Sequence, residues 1–314
     1  MNKLLSAMLI LAISLLLFGC GGTQTTNNGK IYVGGTSGLQ FVFNTPFGSS
    51  IGGKDIVYEQ SDTFNIEVNV KNMGEYDIKA GDLKLKLTGV KVSDFTNLKG
   101  TAQNLGALNK IEKGIKLFNE EDITFKTDVT KSLKYAADVT SRFDPPVTAW
   151  ACYPYTTELS STICFKSNKN TLTTCSIEGA KEFDNSGAPL QVTAVTQTPG
   201  NSKVTVIIEV KNVGTGKIYK ISSKACSLED TVDAPNRENA NKFTVEVMKG
   251  GLVCDGTQDS PIRIKEDGTA TIRCEKTITN DEAYADQLTL KLNYQYEQWV
   301  EHAFTICDED ADCS

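Results

Sequence analysis

One histidine, His302, is all that 314 residues supply. A lone imidazole leaves no second ring for a His-rich metal site and a single candidate for Ser–His–Asp chemistry. His302 shares an alternating face with Val300, Phe304 and Ile306, a setting in which a histidine packs rather than reacts. There is no G-x-S-x-G elbow, phosphate-cradling glycine loop or H-E-x-x-H motif. No C-x2-C or C-x2–4-C pair occurs, which argues against structural zinc. The chain lacks an Asn-x-Ser/Thr sequon, so lysines, bulges or partners rather than N-linked glycans must protect exposed strand edges. It also lacks amphipathic helical stretches of the length that βαβ crossovers need. No block of Lys or Arg is present and the formal net charge is −7. Nucleic acid is therefore not an expected partner, nor is charge-driven binding to an anionic membrane. No cofactor is expected, and the acidity serves solubility.

What is present begins at the first residues. Lys3 precedes the uncharged apolar run Leu4 to Phe18, and Gly19-Cys20 follows. One positive charge, a short apolar stretch and a small residue at its end are the layout of a secretory signal peptide, too short to read first as a spanning helix. Leu17-Phe18-Gly19-Cys20 resembles a prokaryotic lipoprotein lipobox, although Phe18 is bulkier than such boxes usually carry at that place. The resemblance implies cleavage after residue 19 and a lipid on Cys20. An uncleaved anchor with an incidental cysteine is the alternative. Either way the rest of the chain is expected on the extracytoplasmic side, held to the cell membrane. Removing residues 1–19 takes away Lys3 and no acid, so 31 basic residues face 39 acidic ones.

Residues 20–37 are small, polar and glycine-rich and read as a lipid-anchored flexible spacer. From Leu39 the pattern has period two. Phe64, Ile66, Val68 and Val70 alternate with polar residues, and so do Leu83, Leu85 and Leu87. Such alternation marks half-buried antiparallel strands. Further strands are expected at Ile123–Val129, Lys134–Arg142 and Val147–Phe165, the last two separated by Pro145-Pro146. Val90 to Glu121 reads as long loops. After a linker near Gly179–Pro189, alternation returns at Leu190–Thr196, Val204–Val210, Phe243–Val247, Ile262–Ile264 and Ala270–Cys274. The last strands are expected at Leu288–Leu292 and Val300–Ile306, with helical turns only at Asn280–Asp286 and Asn104–Ile111. Many short strands with frequent turns predict an all-β fold.

The string Val210-Lys211-Asn212-Val213-Gly214 nearly repeats Val70-Lys71-Asn72-Met73-Gly74, 140 positions earlier and in the same strand context. Two copies of one module are expected. A hydrophobic strand ending in Val-Lys-Asn-x-Gly resembles the CARDB-type (cell-adhesion-related) immunoglobulin-like module of prokaryotic surface proteins. Ala151-Cys152-Tyr153-Pro154-Tyr155-Thr156-Thr157, with Ile163-Cys164 after it, resembles uncharacterised archaeal exported proteins that pair such modules. The resemblance implies two immunoglobulin-like β-sandwich domains, at 38–180 and 187–307, followed by an acidic tail at 308–314. It implies a role in spacing or adhesion, with no catalytic residue.

Nine cysteines divide into Cys20 and an even set of eight, and an even set outside the cytoplasm reads as disulfides. Eight cysteines allow 105 pairings. Local geometry favours Cys164–Cys175, which flank a hairpin tip, and Cys254–Cys274, which bracket a strand–turn–strand. Cys307 and Cys313 could close the tail, which leaves Cys152 with Cys226. Asp308, Asp310 and Asp312 alternate like the first ligands of a calcium loop, but without its central glycine or final glutamate. Glu120-Glu121-Asp122 and Asp308-Glu309-Asp310 are the acidic clusters from which a carboxylate-dependent glycan hydrolase would draw. Two aromatic groups, Trp150, Tyr153 and Tyr155, and Tyr294, Tyr296 and Trp299, offer surfaces for sugars or proteins unless they line the core. The leading expectation is a non-enzymatic, lipid-anchored surface protein for adhesion or envelope scaffolding, with an envelope protein or glycan as partner. A lipoprotein that delivers a solute or exported subunit to a membrane machine comes second, and a secreted glycan hydrolase third.

Overall fold

The computed structural model describes residues 29–44, 57–114, 118–222 and 238–311. The leader 1–19, Cys20, Cys226, Asp312 and Cys313 lie outside the described residues. Residues Ile31–Ser314 form one compact unit, separate from Met1–Lys30.

The fold is all-β, with several sheets and no α-helix among the described residues. Ten strands carry the framework. The first five are β1 (Leu39–Phe43), β2 (Glu67–Asn72), β3 (Lys84–Thr88), β4 (Glu120–Thr124) and β5 (Pro146–Lys166). The second five are β6 (Leu190–Pro199), β7 (Lys203–Asn212), β8 (Lys242–Lys249), β9 (Thr269–Thr277) and β10 (Ala283–Ala303). The two sets pair alike. β1, β2 and β4 form one antiparallel sheet, as do β6, β7 and β9. Leu39 stands opposite Asn72 and Leu190 opposite Asn212; Lys71 meets Glu120 and Lys211 meets Thr269. β3 borders β5, and β8 borders β10. Val68, Val70, Val206, Ile208 and Val210 point inward from these sheets and are buried, as their alternation requires.

β5 and β10 are 21 residues each and pair antiparallel over their whole length, from Pro146 opposite Ala303 to Lys166 opposite Ala283. At about 3.4 Å per residue this ribbon is roughly 70 Å long. β3 flanks it at Thr148–Cys152 of β5, and β8 flanks it at Thr289–Asn293 of β10. Each ribbon strand thus serves both sets. Every odd-numbered residue of β5 from Val147 to Phe165 is buried, so one ribbon face forms a continuous core wall.

Several expectations change here. The strands expected separately at Leu288–Leu292 and Val300–Ile306 are one strand as far as Ala303, because no Gly or Pro interrupts residues 293–299. Thr305–Cys307, expected in the second half, pairs with Arg142–Phe143 and Val57–Glu59 of the first. Residues 180–187 lie within the unit Ile31–Ser314. Neither expected helical turn forms: Ala283–Asp286 is strand, and Asn104–Ile111 is irregular with one bridge, Ile78 to Leu108. Lys134–Arg142 divides into the short strands Leu133–Tyr135 and Arg142–Phe143.

The disulfides Cys164–Cys175 and Cys254–Cys274 are present as expected. Cys152 and Cys307 are also disulfide-bonded. Their expected partners, Cys226 and Cys313, are among the residues not described.

Candidate functional site

The ribbon's inward face carries four of the six aromatic candidates. Tyr153 stands opposite Tyr296 and Tyr155 opposite Tyr294, on either side of the Pro154–Gln295 pair. Their rings close a cycle. Centroids are 6.0 Å apart for Tyr153–Tyr155, Tyr155–Tyr294 and Tyr153–Tyr296, and 6.4 Å for Tyr294–Tyr296. All four are fully or almost fully buried, and burial pushes their hydroxyls above the ordinary tyrosine range. They are core, so they offer no face to a ligand.

Each hydroxyl instead holds the repeated backbone. The Tyr153 hydroxyl accepts from Leu39 N–H (3.2 Å), and the Tyr294 hydroxyl accepts from Leu190 N–H (3.4 Å). The carbonyls of the same two leucines accept from Gln298 (2.7 Å) and Thr157 (2.6 Å). Tyr155 and Tyr296 press on the two Val-Lys-Asn-x-Gly turns. A Cβ on Gly74 would sit 1.8 Å from the Tyr155 oxygen, and one on Gly214 would sit 2.1 Å from that of Tyr296. In both turns the asparagine amide reaches four residues forward, Asn72 to the Tyr76 carbonyl (2.8 Å) and Asn212 to that of Gly216 (2.9 Å). Glycine is required at these turns for lack of room. A second Tyr-x-Tyr, 141 residues after the first, is the sequence signal that ties the tyrosines to the repeat.

The two tryptophans lie on the opposite face of the ribbon. Trp150 and Trp299 are direct cross-strand neighbours, with ring centroids 5.0 Å apart and planes at 33°. Trp299 is 41% exposed, and Trp150 is half-buried with its indole N–H donated to Thr88 Oγ1 at 3.0 Å. Four strands make one row on this face, Thr101–Lys86–Trp150–Trp299. The next row is Gln103–Lys84–Cys152–Glu297–Lys217. Lys84 bonds Gln103 at 2.8 Å, and Lys217 Nζ lies 6.0 Å from the Trp299 ring. Glu297 accepts the Tyr219 hydroxyl at 3.2 Å; burial, and then this carboxylate, push that hydroxyl upward. A paired aromatic surface set among polar and cationic side chains is able to stack on a flat ring and bond its rim. Residues that the sequence groups together thus divide, with Tyr153, Tyr155, Tyr294 and Tyr296 inside and Trp150 and Trp299 outside.

In the first acidic cluster, two carboxylates are engaged by backbone and amide groups. Glu121 accepts from Leu105 N–H (2.7 Å) and Gly106 N–H (3.2 Å). The amides of Asn69 and Asn44, each 2.8 Å away, hold the Asp122 carboxyl below its usual range. Both acids line an open cleft of about 350 Å³, with Thr101, Gln103, Ile123 and Lys126. Asp308 donates its backbone N–H to the Ser141 carbonyl at 2.9 Å, and Asp310 is exposed in the following turn. Among the described residues no group of three or more His, Cys, Asp and Glu is placed to hold a metal. His302 stands opposite the buried Val147 with its ring 6.1 Å from that of Phe43. No helix among the described residues is long and apolar enough to cross a membrane.

No family model matches the chain. No curated protein matches it either. A solved structure described as "Secreted serine protease VesC from Vibrio cholerae" is similar at 14% identity and a TM-score of 0.21. That similarity covers 84% of this chain and 51% of the protease, so the chain spans about half its length. A score at that level carries no argument about fold or activity.

Proposed function

We propose that this is a non-enzymatic protein, lipidated at Cys20 and carried on the extracytoplasmic side of the cell membrane, that serves adhesion or envelope scaffolding through two immunoglobulin-like modules. The observation that carries the reading is the doubled five-strand arrangement fused through one ribbon of roughly 70 Å. The ribbon braces the two strand sets against each other, and its solvent-facing side presents Trp150 and Trp299 as a preset contact surface. Its partner is an envelope protein or glycan that stacks on this pair.

Two experiments test the two halves of this reading. Cys20→Ala should abolish fatty-acid labelling and release the protein from the membrane fraction; unchanged retention would mean an uncleaved anchor. Trp150→Ala/Trp299→Ala should weaken binding of the purified protein to envelope fragments of the producing cell at least tenfold. Equal binding by the variant would remove the tryptophan pair from the proposal.

A further inference from the structure

The chain preceding β1 joins the body near the middle of the ribbon. Asp184 Oδ2 accepts the backbone N–H groups of Ile31 (2.5 Å) and Tyr32 (3.0 Å), and the Tyr32 hydroxyl donates to Glu158 (3.2 Å). Glu75 accepts from Val33 (2.9 Å), Gly34 (2.8 Å) and Gly187 (2.6 Å). Ala188 N–H donates to the Gly35 carbonyl at 3.2 Å. Residues 31–35, expected to belong to a free spacer, are in this way strapped to the first copy's turn and to the segment leading into the second copy. Asp184 sits on the strand Phe183–Asn185 and stands opposite Ser160 of β5. Ser160 is four residues from Thr156, the midpoint of that 21-residue strand.

We infer that the tether leaves the body from the middle of the ribbon, along the edge of β5 that carries Phe183–Asn185, so that on average neither copy is held further from the lipid surface than the other. The inference rests on lipidation of Cys20. Ten residues lie between Cys20 and Ile31, and the eleven steps span at most about 40 Å whatever their conformation. The ribbon is roughly 70 Å long, so an attachment at its middle keeps both ends within similar reach of the bilayer. Ile31 and Val33, both exposed, place apolar side chains on the strap where it meets that surface. A tether at one end of the ribbon would instead hold one copy further out than the other.

The test measures the height of two points on one strand above vesicles of neutral phospholipid. Glu301 and Ala285 are exposed on the same face of β10, sixteen residues and about 54 Å apart. A fluorophore is placed at each in turn through a non-natural amino acid, and energy transfer to a bilayer dye gives its distance. One arm uses the natural lipoprotein, and the other uses residues 20–314 coupled through Cys20 to maleimide lipid. A mid-body tether gives mean heights that differ by less than about 20 Å, and a larger difference overturns it. Failure of the natural protein to associate with vesicles, with equal heights in the coupled arm, would remove the lipid-anchor reading and leave the mid-body tether standing.

Discussion

Gly214→Ala puts the contact between the repeated turn and the tyrosine cycle under direct test. The added Cβ would lie 2.1 Å from the Tyr296 oxygen, 2.9 Å from Pro189 Cβ and 3.1 Å from Tyr296 Cζ. An ordinary contact is about 3.5 Å, so the ring or the turn must move by more than an ångström. Tyr296 is 2% exposed and wedged between Tyr153 and Tyr294, and its oxygen also accepts the Gly216 N–H at 2.7 Å. Overpacking costs about 1–3 kcal/mol, and a displaced buried hydrogen bond adds about 1 kcal/mol or more. The expected loss is about 3 kcal/mol. Tyr296→Phe removes the clashing atom and leaves only the two longer contacts. The double variant should therefore be more stable than the sum of the single effects allows, by about 1–2 kcal/mol. Urea unfolding followed by far-ultraviolet circular dichroism measures all three variants, with the slope checked for constancy. If Gly214→Ala falls within about 0.5 kcal/mol of the parent, or if Tyr296→Phe adds to its cost, the packing argument is refuted.

Other outcomes follow from the same structure. The four buried tyrosines stay neutral in the folded state while their unfolded counterparts ionise near pH 10, so the unfolded chain binds fewer protons above that pH. Their contribution is complete below about pH 10 and is lost as pH rises beyond it, at up to about 1.4 kcal/mol per tyrosine per pH unit; a tyrosinate absorbance titration should show these four, with Tyr219 and Tyr32, among the late-ionising of the ten tyrosines, and early ionisation of all ten would contradict their burial. Replacing Cys254 and Cys274 together by serine should cost about 3 kcal/mol, given a loop of 20 residues. A change below about 1 kcal/mol in the same urea assay would show that the closed loop contributes little. Because β5 and β10 serve both halves, thermal unfolding should give one calorimetric transition, and residues 187–314 expressed alone should fail to fold; two separated transitions would mean that the copies are independent.

The strand content was largely legible, because alternation at period two survives wherever one face of a sheet is buried. Val147–Phe165 was readable almost to the residue, helped by the prolines before it. What sequence hid is the partner of each strand. Leu288–Leu292 and Val300–Ile306 each alternate correctly, and nothing in their pattern says that a single strand joins them or that its far end belongs beside Trp150. The site was legible by residue type and ambiguous by face. Tyr153 and Trp150 are three positions apart, so they point to opposite sides of β5, which period two already dictates. Deciding which side is core needed the sheets that cover it. The local disulfides could be read from hairpin geometry, whereas Cys152 gave no such clue.

The shared ribbon also sets an order of events during synthesis. β5 emerges first, and its partner β10 follows only after more than a hundred further residues have appeared. Through that interval β5 presents 21 residues of unpaired strand edge, half of them apolar on one face, a surface prone to pairing with other chains. That interval is the stage of synthesis at which intermolecular strand pairing competes most with folding.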